Sequence, residues 1–178
     1  MIPRKFVVLL SLVAVVLLAV SAPAALAQEA QASYSPDGAW LAVANMPGGA
    51  QVLFMDIYTS NPTAQGQAGT VLCTLSVPAF ATPYGKMAMT ASGHGNWRRI
   101  NKNHFVFTVL RILVDADPAN ATPDGAPTGM VKFRGSTTAT GPSTFEGTMT
   151  ADYYDLEGKL FLSFSFTTAG RRIAVETE

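Results

Sequence analysis

The chain has little of what disulfide-bonded or catalytic domains depend on. Among its 178 residues there are one cysteine, two histidines and two tryptophans, and only 13% of the residues carry a charge. A single cysteine excludes an internal disulfide, so the fold must be stabilised by packing. The twelve basic residues are balanced by twelve acidic ones, which gives no reason to expect a nucleic-acid partner. Cys73 lies in an apolar stretch, and we interpret it as a buried, unreactive thiol rather than an intermolecular bridge or a reactive site.

Catalytic and metal-binding motifs are also missing. The sequence contains no Gly-x-Ser-x-Gly elbow, no His-Glu-x-x-His pair, no phosphate loop and no paired-cysteine site. His94 lies between two glycines in a predicted loop, where a backbone hydrogen bond is a simpler role than acid, base or metal ligand. We therefore predict no catalytic set, no metal and no cofactor.

The N-terminus has the layout of an export signal. Two basic residues precede an apolar run over residues 6–20, and Ala25-Leu26-Ala27 supplies the small side chains that a signal peptidase accepts. This layout predicts a signal peptide over residues 1–27, cleavage before Gln28, and a secreted or periplasmic protein. The alternative is an uncleaved anchor, since the run approaches the roughly 20 residues that span a bilayer. A following serine and proline disfavour the anchor, and no membrane association is expected after cleavage.

The remaining 151 residues carry a net charge of −2 and suffice for one domain. Turn-forming proline, glycine and asparagine residues recur at intervals too short for long helices. The β-branched and aromatic runs between them predict strands near 38–46, 51–59, 69–76, 86–91, 95–101, 104–115, 128–138, 144–154 and 159–168. Without the weakest segment, 86–91, eight strands remain, linked mostly by short turns. We predict a flexible segment over 28–37, a barrel domain over 38–173 and a tail over 174–178.

Segment 51–58 has two alternative registers. One register turns Leu53, Met55 and Ile57 inward and leaves Asp56 in water. The other turns Asp56 inward together with Phe54 and Tyr58, and a buried carboxylate then needs a partner or a raised pKa. We favour the first register, because it gives three aliphatic side chains to the core.

Segment 104–115 is apolar on both faces. Phe105, Phe107 and Val109 point one way, and Leu110 and Ile112 point the other. A strand of this kind must be covered twice. The outer cover can be a neighbouring subunit, a loop or a ligand, and we favour a homo-oligomer.

The two ends of the predicted domain carry a resemblance to a known family. Gly38-Ala39-Trp40 opens the first strand and Gly170-Arg171-Arg172 follows the last predicted one, a layout that resembles lipocalins and the wider calycin group. An allene-oxide-cyclase-like barrel is similar too. The resemblance implies an all-β fold, a single antiparallel eight-stranded up-and-down barrel. It also implies that one end is closed by Trp40, Trp97, Arg171 and Arg172, with a guanidinium over an indole face. The disulfide and C-terminal helix usual in lipocalins are missing.

Three functions fit such a barrel. The first, which we favour, is a binding protein that encloses an apolar or aromatic small molecule. Its predicted ligand-binding residues are Phe54, Tyr58, Phe107, Phe133, Phe145, Met149, Phe164 and Phe166. The second is an isomerase or cyclase in which Asp56, Tyr58 or His94 steers the chemistry. The third is a structural protein whose barrel is filled by its own side chains.

Overall fold

The computed structural model of the protein describes residues 34–75, 80–82, 85–116 and 125–174. The predicted signal peptide and residues 28–33 lie outside the described residues. Regular structure in this part of the chain is β-strand, apart from a short 3-10 helix, Pro62–Ala64. The strands are β1 (Gly38–Asn45), β2 (Gln51–Ser60), β3 (Ala68–Leu75), β4 (Phe80–Thr82), β5 (Gly85–Met89), β6 (Ser92–Arg99), β7 (His104–Asp115), β8 (Pro127–Gly141), β9 (Thr144–Asp155) and β10 (Leu160–Arg172). No helix in the described ranges is long and apolar enough to cross a bilayer.

Eight of these strands close into an antiparallel barrel. Their order around the barrel is β1, β2, β3, β6, β7, β8, β9, β10, and β10 pairs back with β1. Apart from β4 and β5, which lie outside this set, strands that are consecutive in the sequence are hydrogen-bonded neighbours in the barrel. The up-and-down barrel predicted from the sequence is therefore confirmed. We call the end where β1 begins and β10 finishes the lower end, and the opposite end the upper end.

Segment 86–91, the weakest of the predicted strands, forms β5 but does not add a ninth strand to the barrel wall. β5 pairs with the upper part of β7, where Met87 faces Asp115, and β6 pairs with the lower part, where Trp97 faces Phe107. The two strands therefore lie one after the other along the same edge of β7. The short β4, which pairs with β5, was not predicted.

The register of β2 is the opposite of the one we favoured. Asp56 is only 2% exposed inside the barrel, whereas Leu53 on the other face is 58% exposed. Trp40 of β1 faces Asp56 directly in the antiparallel ladder, and such pairs share one side of a sheet. The expectation that Asp56 lies in water is therefore wrong. Its carboxyl is hydrogen-bonded to the side chains of Tyr58 and Cys73. These bonds offset part of the cost of burying the carboxyl, and strand alternation alone does not reveal them.

The last strand is longer than predicted. β10 continues to Arg172 instead of ending near residue 168, because β1 pairs with it from Trp40 opposite Arg172 to Asn45 opposite Thr167. The two arginines expected after the strand thus belong to it. This pairing closes the barrel.

The outer face of β7 remains apolar and open. Ile112 is 53% exposed and faces Met130 of β8, while Leu110 is exposed on the same side of β7. These three side chains form a patch that we call the outer patch. The described part of the chain does not supply the second cover that the sequence pattern calls for.

Candidate functional site

The lower half of the barrel is filled by aromatic side chains. Trp40 packs on Phe145 with ring centroids 5.3 Å apart, and its indole Nε1 donates to the carbonyl of Pro36 at 2.6 Å. Trp97 is also buried, and its Nε1 donates to the carbonyl of Thr59 at 3.3 Å. Buried indoles with a hydrogen-bond partner are well suited to close a barrel end.

Arg172 covers the outer side of Trp40. Its Cζ lies 4.7 Å from the centre of the indole, in range of a cation–π contact. The guanidinium also donates to the carbonyls of Ser35 and Asp37, at 2.6 and 2.7 Å. Arg171 points to solvent instead. Of the two arginines implied by the lipocalin resemblance, Arg172 is the one that lies on the tryptophan.

The upper half of the barrel is hollow. A cavity of about 260 Å³ lies there, and most of the side chains around it are apolar. We call it the upper cavity. It is lined by Ala44, Met46, Val52, Phe54, Cys73, Leu75, Phe80, Met89, Phe133, Met149, Tyr153, Leu162, Phe164 and Phe166. Leu162 is both part of this lining and 39% exposed, which places the mouth beside the start of β10.

The structure brings together five of the eight predicted ligand-binding residues. Phe54, Phe133, Met149, Phe164 and Phe166 line the upper cavity. Tyr58, Phe107 and Phe145 do not, because they lie in the lower half around a void of only about 20 Å³. Tyr58 and Phe107 meet edge to face there, with centroids 6.1 Å apart.

Sequence reasoning missed much of the cavity wall. Ala44 follows from the alternation of β1 with Trp40 turned inward, whereas Val52 follows only once the inward register of β2 is known. Phe80 lies in β4, which is too short for a recognisable alternation. Tyr153 stacks on Phe164 at a centroid distance of 5.8 Å and shares the inward face of β9 with Met149.

A buried polar cluster lies beneath the upper cavity. It consists of Asp56, Tyr58, Cys73 and Arg111, each less than a tenth exposed. The Tyr58 hydroxyl donates to Asp56 Oδ2 at 3.2 Å. Burial raises the pKa of Asp56 to about 6, although hydrogen bonds from Cys73 and Tyr58 and the charge of Arg111 act in the opposite direction. Asp56 therefore changes its charge close to neutral pH.

Arg111 reaches this cluster by crossing β6 at a glycine. Its Nη2 donates to the carbonyl of Cys73 at 2.6 Å and lies 3.2 Å from the sulfur, while Nη1 donates to the carbonyls of Thr90 and Ala91. A Cβ on Gly93 would lie 2.6 Å from Arg111 Cγ, so a side chain there would block the crossing. Burial raises the pKa of the Cys73 thiol, which keeps it neutral. Sequence reasoning missed Arg111, because a lone arginine in an apolar strand resembles an outward-facing charge.

His94 lies apart from the cavity. It is part of β6 instead of a loop and is exposed on the outside of the barrel. No group of three or more histidine, cysteine, aspartate or glutamate side chains within the described ranges is arranged to hold a metal ion.

Comparisons with known proteins show similarity at the level of fold. No family model and no curated protein matches the sequence. The solved structure of EF1p2_mFAP2b bound to DFHBI is similar, with a TM-score of 0.51 and 12% identity, over 80% of this chain and 98% of that one. The redesigned β-barrel mFAP1 bound to DFHBI has a TM-score of 0.47, with 12% identity over 80% and 99% of the two chains. The redesigned β-barrel b11L5F_LGL has a TM-score of 0.44, with 13% identity over 82% and 96%.

The strand pairing, together with the similarity to EF1p2_mFAP2b, defines the class of fold. The chain is an eight-stranded antiparallel β-barrel, packed in its lower half and hollow in its upper half. The narrower resemblance to lipocalins has no matching family model and stays a prediction.

Proposed function

We propose that the protein is an exported barrel that binds an apolar or aromatic small molecule in the upper cavity. One observation carries this proposal: a cavity of about 260 Å³ with mainly apolar walls, inside a barrel that is otherwise packed. Small-molecule pockets are mostly apolar concavities of roughly 300–1,000 Å³. A cavity just below this range suits a compact ligand, such as one with two fused rings. The presence of DFHBI in the structure of EF1p2_mFAP2b supports small-molecule binding by a barrel of this fold.

The walls favour a ligand with a flat ring. Phe133 on β8 and Phe164 and Phe166 on β10 line the cavity, and aromatic faces prefer offset-stacked or edge-to-face partners. Met149 adds a flexible thioether that adapts to an irregular outline. The ligand contacts in this proposal are therefore Phe54, Phe133, Met149, Phe164 and Phe166.

Native mass spectrometry tests this proposal. We expect the mature protein, incubated with the neutral naphthalene dye prodan, to retain one dye molecule per chain. Absence of a complex at dye concentrations up to its solubility limit would contradict the proposal.

Export is part of the proposal. The basic pair, the apolar run and Ala25-Leu26-Ala27 support a cleaved signal peptide and a secreted or periplasmic location. N-terminal sequencing of protein recovered from outside the cytoplasm is expected to begin at Gln28, and an intact Met1 there would contradict cleavage.

An isomerase or cyclase is the second candidate, and the position of Asp56 favours it. A carboxyl with a pKa of about 6 next to an apolar cavity can take a proton from a bound substrate and return it. The two candidates differ in their sensitivity to Asp56→Asn. This substitution would abolish turnover in an enzyme, whereas it should leave the retention of prodan largely unchanged in a binding protein.

We also propose that the outer patch joins two or more copies of the chain. Large exposed apolar patches are uncommon on soluble monomers. Two copies of a chain that pack together through the same patch form a symmetric dimer. Light scattering should show an oligomer for the wild type and a monomer for Ile112→Lys, because a buried unpaired charge opposes association. Thr148→Lys, on an exposed polar part of β9, is the matched control and should stay oligomeric. A wild-type monomer at high concentration would contradict the proposal.

A further inference from the structure

Cys73 is the lining residue of the upper cavity that belongs to the buried polar cluster. Asp56 is not part of the lining, but it faces Cys73 directly in the ladder between β2 and β3. On β2, Phe54 lines the upper cavity and Tyr58 lines the lower void, with Asp56 between them on the same face. The Asp56 side chain therefore lies directly below the cavity floor, beside the lining residue Cys73.

This carboxyl has capacity for a further hydrogen bond. An ionised carboxylate offers about four lone-pair sites. The described residues bring two side-chain donors to it, the hydroxyl of Tyr58 and the thiol of Cys73. Each further donor stabilises a buried carboxylate. A ligand that ends in a donor and reaches the floor beside Cys73 would supply one.

The surrounding charges favour a neutral donor over a cation. Arg111 already stabilises the charge of Asp56 through space. An ammonium group on the ligand would bring a second cation into a site shielded from water, at a high cost in desolvation. A hydroxyl group avoids most of this cost.

The same charges disfavour an anionic ligand. Asp56 repels a second negative charge, and both terminal nitrogens of Arg111 already donate to the carbonyls of Cys73, Thr90 and Ala91. The Nε of Arg111 has no partner in the described part of the chain, but it lies close to Gly93 on β6, two strands away from β2. A carboxylate at the cavity floor would thus lack the donors that it needs.

We propose that the ligand of the upper cavity is an alcohol or a phenol, whose apolar body fills the cavity while its hydroxyl group donates to the Asp56 carboxylate beside Cys73. This inference rests on the proposed function, since it names the chemical class of the molecule that the cavity holds.

A matched pair of competitors tests the inference. 2-Naphthol and 2-methoxynaphthalene share one ring system and one oxygen, but only the naphthol can donate a hydrogen bond. Each is used to displace prodan from the mature protein at pH 7.5, and 2-naphthoate serves as the anionic counterpart. Asp56→Asn removes the charge of the acceptor, and Glu146→Gln changes an exposed carboxylate outside the barrel.

We expect 2-naphthol to bind the wild type at least roughly tenfold more tightly than its methyl ether, because hydrogen bonds to charged acceptors are the stronger kind. The naphthoate should bind most weakly. Asp56→Asn should reduce the preference for naphthol to about threefold or less, whereas Glu146→Gln should retain it. If Asp56→Asn does not fold, the two competitors on the wild type still decide the question.

The experiment distinguishes failure of the proposed function from failure of the inference that the ligand is an alcohol or a phenol. If prodan does not bind, the proposed function is wrong and this inference falls with it. If prodan binds but the ether competes as well as the naphthol, or if Asp56→Asn keeps the full preference, this inference alone is wrong.

Discussion

Replacing Trp40 by alanine should lower the free energy of unfolding by roughly 3–5 kcal/mol, the range observed for large buried aromatic side chains. The ring is buried against Phe145 and covered by Arg172, and its Nε1 donates a hydrogen bond to the carbonyl of Pro36. Its removal would leave a cavity at the lower end and one carbonyl without its donor. Denaturant unfolding followed by circular dichroism measures the loss without depending on tryptophan fluorescence.

Two arginine variants provide the control for this prediction. Arg172→Ala should cost about 1–2 kcal/mol, since it removes the cation–π contact and hydrogen bonds at a half-buried site. Arg171→Ala, at the neighbouring exposed position, should change the stability by less than about 0.5 kcal/mol. A loss below about 1 kcal/mol for Trp40→Ala would show that the tryptophan does not close the barrel.

Asp56→Asn should reduce the loss in the free energy of unfolding that the protein shows as the pH rises. The pKa of Asp56 is raised by burial from 3.8 to about 6, so folding favours the protonated form. A carboxyl of this kind stabilises the fold fully below its unfolded pKa, and that contribution is lost as pH rises from about 4 to about 6. At 1.36 kcal/mol per pKa unit, the wild type should lose about 3 kcal/mol relative to the variant across this interval.

The measurement is the free energy of unfolding of both proteins at pH 4.0 and at pH 7.5. Only the difference between the two proteins is diagnostic, because other carboxyls make the fold more stable as the pH rises. One example is Asp152, whose pKa is lowered by hydrogen bonds from Ser163 and Arg134. Glu146→Gln, on the exposed outer surface, should follow the wild type at both values. Parallel behaviour of the wild type and Asp56→Asn would mean that Asp56 is not desolvated.

The barrel itself could be predicted from the sequence, because strand alternation and turn residues are local signals. Phe145 and Met149 on β9 and Phe164 and Phe166 on β10 alternate with polar residues, and all four point inward. The closure of the barrel could be anticipated only through the paired signals at its ends, Trp40 and Arg172. Neither signal reveals the length of β10, which depends on its pairing with β1.

The polar cluster could not be predicted, because it depends on contacts between distant strands. Asp56 turns inward because Tyr58, Cys73 and Arg111 stabilise it, and Arg111 reaches across β6 only because residue 93 lacks a side chain. A register shift between Leu160 and Leu162 in β10 likewise breaks the simple alternation at the cavity mouth. The hollow upper half is also a property of packing in three dimensions, which a list of inward aromatic residues cannot distinguish from a filled core.

The most direct test of the central claim is a fluorescence titration of prodan against the wild type and a variant with a blocked cavity. Ala44 is buried in the lining, so Ala44→Phe should fill the space without touching the polar cluster. We predict saturable binding of one dye per chain with blue-shifted emission for the wild type, and affinity at least roughly tenfold weaker for Ala44→Phe, because the added ring occupies the ligand volume. His94→Ala, outside the barrel, should bind like the wild type. Equal binding by the wild type and a folded Ala44→Phe variant, or no saturable binding at all, would contradict the claim that the upper cavity is a ligand site.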